Sequence, residues 1–82
     1  MPTVLRLGAL LVVIYPNDHR PSHVHVIGRD REAVFNLNCP VGPVRLRENF
    51  SFKRREIAPI KNALITHLVL LCNAWEEIHG IA

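Results

Sequence analysis

Cysteine is scarce in this sequence, and no Cys-x-x-Cys pair occurs. That excludes a zinc knuckle and a thioredoxin-type redox site. The two cysteines, Cys39 and Cys72, stand 33 positions apart. One disulfide between them is open to the chain, but Cys72 falls in an apolar periodic segment and reads as a small buried hydrophobe. Cysteine usage therefore points to a reducing, cytoplasmic setting. Long apolar runs are lacking too. The longest, Ala9 to Tyr15, has seven residues, far short of the ~20 that a membrane helix needs, so no membrane partner is expected. Residues 1–15 carry Arg6 ahead of LGALLVVI, a weak imitation of a signal peptide, but no small-residue cleavage site follows and YPND reads as a turn. Aromatic residues make up 6% of the chain. That is too few for a row of base-stacking platforms, so sequence-specific reading of single-stranded nucleic acid is not supported.

What is present is apolar and basic. The chain has 82 residues, of which 49% are hydrophobic, with a mean hydropathy of +0.14. It reads as one domain spanning residues 1–82. A chain this short buries only about 60% of its unfolded surface, which leaves little room for an enclosed active site. Its apolar content excludes a mainly disordered chain and implies a surface that another chain covers. The net charge is +3, and eight of the ten cations are Arg. The basic residues concentrate late: Arg45, Arg47, Lys53, Arg54, Arg55 and Lys61 stand against only Glu48 and Glu56.

Periodicity divides the chain in two. Thr3 to Leu7 reads as a strand, with Gly8-Ala9 as a tight hairpin turn. Leu10 to Tyr15 is β-branched and aromatic without alternation, which suits a strand covered on both faces. Ser22 to Ile27 alternates, GRDR turns, and Glu32 to Leu37 returns. Val44 to Arg47 is a further short alternating strand. From Ser51 onward the period becomes helical: Ile57, Ile60, Leu64, Leu68, Leu71, Trp75 and Ile78 recur at spacings of three and four. Ser51 fits an N-cap and Gly80 a C-terminal stop. Pro59 should kink the helix or start a new one, and Thr66 fits the cap of a second. Strands within 3–47 followed by a helical region over 51–79 predict an α+β fold. Its antiparallel sheet has four to five strands, and one kinked or two helices follow it. The unalternating second strand and the helix flank at Val69 and Leu70 call for cover by a homodimer or a small protein partner.

The densest polar cluster is Asn17, Asp18, His19, Arg20, Pro21, Ser22, His23, Val24, His25. On a strand, His23 and His25 point to one face and Val24 and Val26 to the other. Two His at i and i+2 match a strand-borne pair for zinc or another transition metal, which Asp18 or His19 would complete from the loop; without such a metal no cofactor is implied. The ordinary alternative is a polar sheet face. A histidine-triad nucleotide hydrolase is excluded, because its third histidine position holds Ile27. His23 and His25 with Asp18 are also the catalytic candidates for general acid–base chemistry, as in a metal-independent ribonuclease. If Val24, Val44 and Leu46 face the core, Arg45 and Arg47 share the histidine face, with Asn36 beside them. Such a face suits RNA or DNA phosphate, or an acidic partner, with Asn17, His19, Lys53, Arg54 and Arg55 as further contacts. Trp75 lies on the helix stripe as a core anchor, and His67 and His79 read as surface or helix-end residues.

Taken together, MPTVLRLG, YPNDHRPSHVHV, EAVFNL, VRLREN, the basic helix start and AWEEIHG resemble the small prokaryotic family called domain of unknown function 4160. The most specific part is Asn17, Pro21, His23 and His25, which is similar to that family's Asn…Pro-Pro-His-hydrophobic-His segment. Ser22 departs from the usual Pro, and VVIY replaces a Phe-rich stretch. The resemblance implies a gene context like that of toxin–antitoxin pairs, and so a cytoplasmic protein with a small protein partner and RNA or DNA as target. The expectation is an interaction protein of this kind, with the ribonuclease and the metal-binding module as alternatives.

Overall fold

Short turns set the topology. Gly8 (φ 59°) joins β1 (Thr3–Leu7) to β2 (Leu10–Val13) through a two-residue loop, and Asp30 (φ 57°) joins β3 (His23–Gly28) to β4 (Arg31–Asn36) in the same way. Gly carries left-handed backbone without penalty and Asp tolerates it. The fifth strand, β5 (Arg45–Phe50), is followed by α1 (Arg54–Thr66) and α2 (Leu68–His79). The computed structural model describes residues 3–80. Each strand pairs antiparallel with the next, so the sheet order β1-β2-β3-β4-β5 is the chain order. The fold is α+β, as expected, with five strands and two helices.

The three central strands are regular, whereas both edges carry a bulge. Val4 on β1 is the extra residue between Thr3↔Val13 and Leu5↔Val12. Arg47 on β5 is the extra residue between Phe35↔Leu46 and Val34↔Glu48. A bulge of this kind shifts side-chain phase on its strand.

Val12, Val24, Val26, Ala33 and Phe35 face the helices, where they meet Ile60, Leu64, Leu71 and Trp75. Most of the apolar stripe is thereby buried, and Trp75 anchors the core as expected. The second strand needs no second chain: Val12, Val13 and Ile14 are all fully buried within this one. Cover is missing on the helix flank, where Val69 is 72% and Leu70 45% exposed, and Leu46 and Phe50 on β5 are exposed as well.

Four local expectations are corrected. Ser51 does not cap α1; it takes φ 79° in a turn that Asn49 closes by donating to the Phe52 carbonyl (3.0 Å) and accepting from the Phe52 N–H (3.1 Å). The N-cap is Lys53, whose side chain has no acceptor. Glu56 compensates by accepting from the Lys53 N–H at 2.9 Å. Pro59 does not break the helix, and the break comes at His67, where the two helices meet at 74°. Thr66 is not a cap either. Its hydroxyl donates back to the Asn62 carbonyl (3.0 Å), and His67 Nδ1 donates to that of Ala63 (2.9 Å), so side chains satisfy the last turn of α1. Finally, Cys72 is buried but not free, because it is disulfide-bonded to Cys39 with a Cα–Cα distance of 5.8 Å. The bridge ties α2 to the segment between β4 and β5, and the inference of a reducing setting loses its basis. Among the described residues no single helix is long and apolar enough to cross a membrane.

Glu56 also pairs with Arg31 across the β4–α1 boundary. The Lys53 N–H holds its carboxyl below the usual value, with Arg31 adding to this and burial opposing it. A depressed folded pKa gives stability that is present above the unfolded value, 4.5, and is lost as pH falls through the folded one. Melting temperature should therefore fall as the pH is taken below 4.5, and Glu56→Gln should flatten that part of the profile. An unchanged slope in the variant would contradict this role.

Candidate metal centre

Strand alternation places Val24 and Val26 in the core and His23 and His25 on the opposite face. The loop before β3 then folds over that face. Tyr15 donates its N–H to Asp18 Oδ2 (2.9 Å) and accepts from the Asp18 N–H (3.0 Å). This reciprocal pair closes a β-turn, fixes one carboxylate oxygen and leaves Oδ1 directed at the strand. Asp18 Oδ1 lies 3.3 Å from His25 Nε2 and 3.5 Å from His23 Nε2.

The far side of each ring is anchored. His23 Nδ1 donates to the Pro21 carbonyl at 2.8 Å, and His25 Nδ1 donates to Glu32 Oε2 at 3.0 Å. Both acceptors are oxygens, so Nδ1 is a donor in each ring; the Nε2 atoms face Asp18 Oδ1, donating there when protonated and free to ligate a cation when not. Ring contacts hold the planes: Tyr15 meets His25 edge-on at 4.8 Å, and His23 packs against Trp75 at 5.4 Å. The side chains of His23, Asp18 and His25 are 7%, 13% and 15% exposed. One ligand atom from each of the three lies within 4.8 Å of the others. Asn36, across the ladder from His23, has a buried Oδ1 without a partner.

Charge decides what this cluster prefers. Burial raises the Asp18 pKa, but the Tyr15 N–H and the two histidines more than offset it and hold the carboxyl below its usual value. Two carboxylates, Asp18 and Glu32, thus flank two imidazoles. With neutral rings the cluster is anionic and lone pairs oppose a carboxylate oxygen. A cation relieves both, whereas a phosphate would aggravate both.

The other sequence-selected residues are arranged differently. Asn17 and His19 flank Asp18 on the loop and are exposed. Arg45 lies in one cross-strand row with Asn36 and His23. Arg47 is the extra residue of the bulge, and Glu48 takes the position opposite Val34. Lys53, Arg54 and Arg55 are exposed at the start of α1, and none is ion-paired to the histidine cluster. His67 forms the joint between the helices, and His79, at the end of α2, stacks on Trp75 at 3.9 Å. Glu32 was not anticipated, although the two-residue β3–β4 turn implies it. The register His25↔Val34 puts Glu32 diagonally across from His25 on the same face.

Neither a curated protein nor a solved structure matches the chain. A family model does, over residues 10–76, a span that includes all three convergent side chains and both cysteines. The chain therefore belongs to the family described as domain of unknown function, DUF4160.

Proposed function

We propose that the protein is a small metal-binding module in which Asp18, His23 and His25 hold a divalent transition metal, with zinc the best match to the ligand types. One observation carries this: two Nδ1-anchored imidazoles aim their Nε2 atoms at a single carboxylate oxygen, at 3.3 and 3.5 Å. Tetrahedral zinc with bonds of about 2.0–2.1 Å sets its ligand atoms about 3.3–3.4 Å apart. The Pro21 carbonyl and the Glu32 carboxylate are the outer partners that metal-bound histidines usually have. Three protein ligands leave one coordination position open, as in zinc sites that bind water or a substrate. The same imidazoles support acid–base chemistry, but Asp18 and Glu32 beside them disfavour an anionic RNA substrate.

Untagged protein stripped with a chelator should bind one equivalent of zinc in a calorimetric titration. At a hundredfold excess over Kd its melting temperature should rise by roughly 10–20 °C. His25→Ala and Asp18→Asn should abolish both effects. Zinc uptake below half an equivalent, or unchanged in these variants, would overturn the assignment.

The exposed flank of α2 favours a second reading, a cytoplasmic interaction protein that forms half of a toxin–antitoxin-like pair. Val4, Val69, Leu70 and Ala74, with Asn73 and Glu77 beside them, line a groove there that a second copy or a small partner would cover. If the zinc titration fails, this reading takes precedence. Its homodimeric form requires a light-scattering mass of two chains.

A further inference from the structure

A cleft of about 410 Å³ opens beside the metal-binding cluster, between the 20–22 segment, the 38–40 segment and the C-terminal half of α2. None of Asp18, His23 and His25 lines it. Its wall contains both bridged cysteines together with Trp75, and its rim carries Arg20 and Glu76. The volume falls within the range of about 300–1,000 Å³ typical of small-molecule sites.

The rim charges are uncommitted. Arg20 and Glu76 are exposed, and neither forms an ion pair among the described residues. A guanidinium presents a planar fork to a carboxylate, and a carboxylate accepts from an ammonium. A ligand matching both would be zwitterionic. Besides the polar Ser22 and Asn38, the cleft offers a disulfide. Cys39 is half-buried and Cys72 only 6% exposed, so an incoming group reaches the Cys39 sulfur more readily.

We infer that this cleft is a thiol–disulfide exchange site for small zwitterionic thiols, amino-acid thiols or short peptides containing one. The ligand's carboxylate docks on Arg20 and its ammonium on Glu76. Its thiolate sulfur then attacks Cys39 Sγ and forms a new sulfur–sulfur bond. The Cys39–Cys72 bond breaks, and its electron pair leaves on Cys72 Sγ, which takes a proton from water. The ligand sulfur is oxidised and Cys72 is reduced. A second ligand thiolate attacking the bound ligand sulfur frees Cys39 and releases the ligand as its own disulfide. No other oxidant or reductant is needed, and the site is independent of metal binding.

Air-oxidised full chain can be treated with reduced glutathione, which carries carboxylates, an ammonium and a thiol, or with neutral 2-mercaptoethanol. Rates of bridge opening, divided by the thiolate fraction of each reagent, should favour glutathione by about tenfold or more, the scale of one charge-assisted contact. Arg20→Ala and Glu76→Gln should each reduce that preference while leaving the 2-mercaptoethanol rate unchanged. Both residues are exposed, so these variants fold. S-methylglutathione, which docks but cannot attack, should slow the glutathione reaction. Peptide mapping of the quenched intermediate should find glutathione on Cys39. Equal rates per thiolate, an adduct on Cys72 alone, or two free thiols in the oxidised protein would each overturn the assignment.

Discussion

Reduction of the Cys39–Cys72 bridge is expected to lower stability by about 3–4 kcal/mol, on the chain-entropy estimate for a loop of this length. The cysteines are 33 residues apart in sequence, so the bridge removes a large share of the freedom of the unfolded chain. The native side matters as well. The segment between β4 and β5 is held by few bonds, chiefly Gly42 N–H to the Asn38 carbonyl (2.8 Å) and Asn38 Nδ2 to the Pro43 carbonyl (2.7 Å). The bridge is its covalent tie to α2. Total stability for a domain of this size is about 4–12 kcal/mol, so the loss is a large fraction of the whole. Thermal melts with and without dithiothreitol should differ by roughly 15–25 °C. The Cys39→Ser, Cys72→Ser double variant should melt like the reduced protein. Coincident melts of the oxidised and reduced protein would show that the bridge contributes nothing.

Trp75→Ala should cost about 3–5 kcal/mol, the range for removing a buried aromatic. Trp75 is 5% exposed and sits where three parts of the molecule meet. It belongs to the core cluster, stacks on His79 at 3.9 Å and backs His23 at 5.4 Å. Little of its cavity can collapse, because β3 and the Cys72 bridge hold the walls in place. The variant should be close to half unfolded at moderate temperature, and urea unfolding should show the midpoint moved far toward zero denaturant. Trp75→Phe should lose less, because it keeps most of the apolar volume. A loss below about 1 kcal/mol for the alanine variant would show that the ring is not a core anchor.

The cysteine bridge and Trp75 also mark how far the sequence alone carries. Strand alternation from His23 to Val26 and the spacing from Ile57 to Ile78 each depend on local periodicity, and the structure places them as read. The bulge at Arg47 depends on how β5 fits β4, so VRLREN gave no sign that Glu48, and not Arg47, would sit opposite Val34. Ser51 has the chemistry of a cap, but Asn49 takes both backbone groups of Phe52 and draws the chain into a turn, which delays the helix to Arg54. Cys72 satisfies the apolar stripe and the disulfide at once, and only tertiary contact separates these readings. The convergence of Asp18 on the histidines likewise needs the Tyr15–Asp18 pair to turn the loop back. Spacing in sequence gave the face of His23 and His25 but not what would cover it.

An open five-stranded meander leaves two strands with unsatisfied backbone groups, here β1 and β5. Each is irregular, through Val4 on one edge and Arg47 on the other. A strand from another molecule that adds in regular register would meet a kink at both ends of the sheet, and at β5 it would also meet the charges of Arg45, Arg47 and Glu48. Irregular, charged edges are a common defence against fibril growth by edge-to-edge stacking. A chain this apolar thus keeps its sheet from acting as a template for polymerisation.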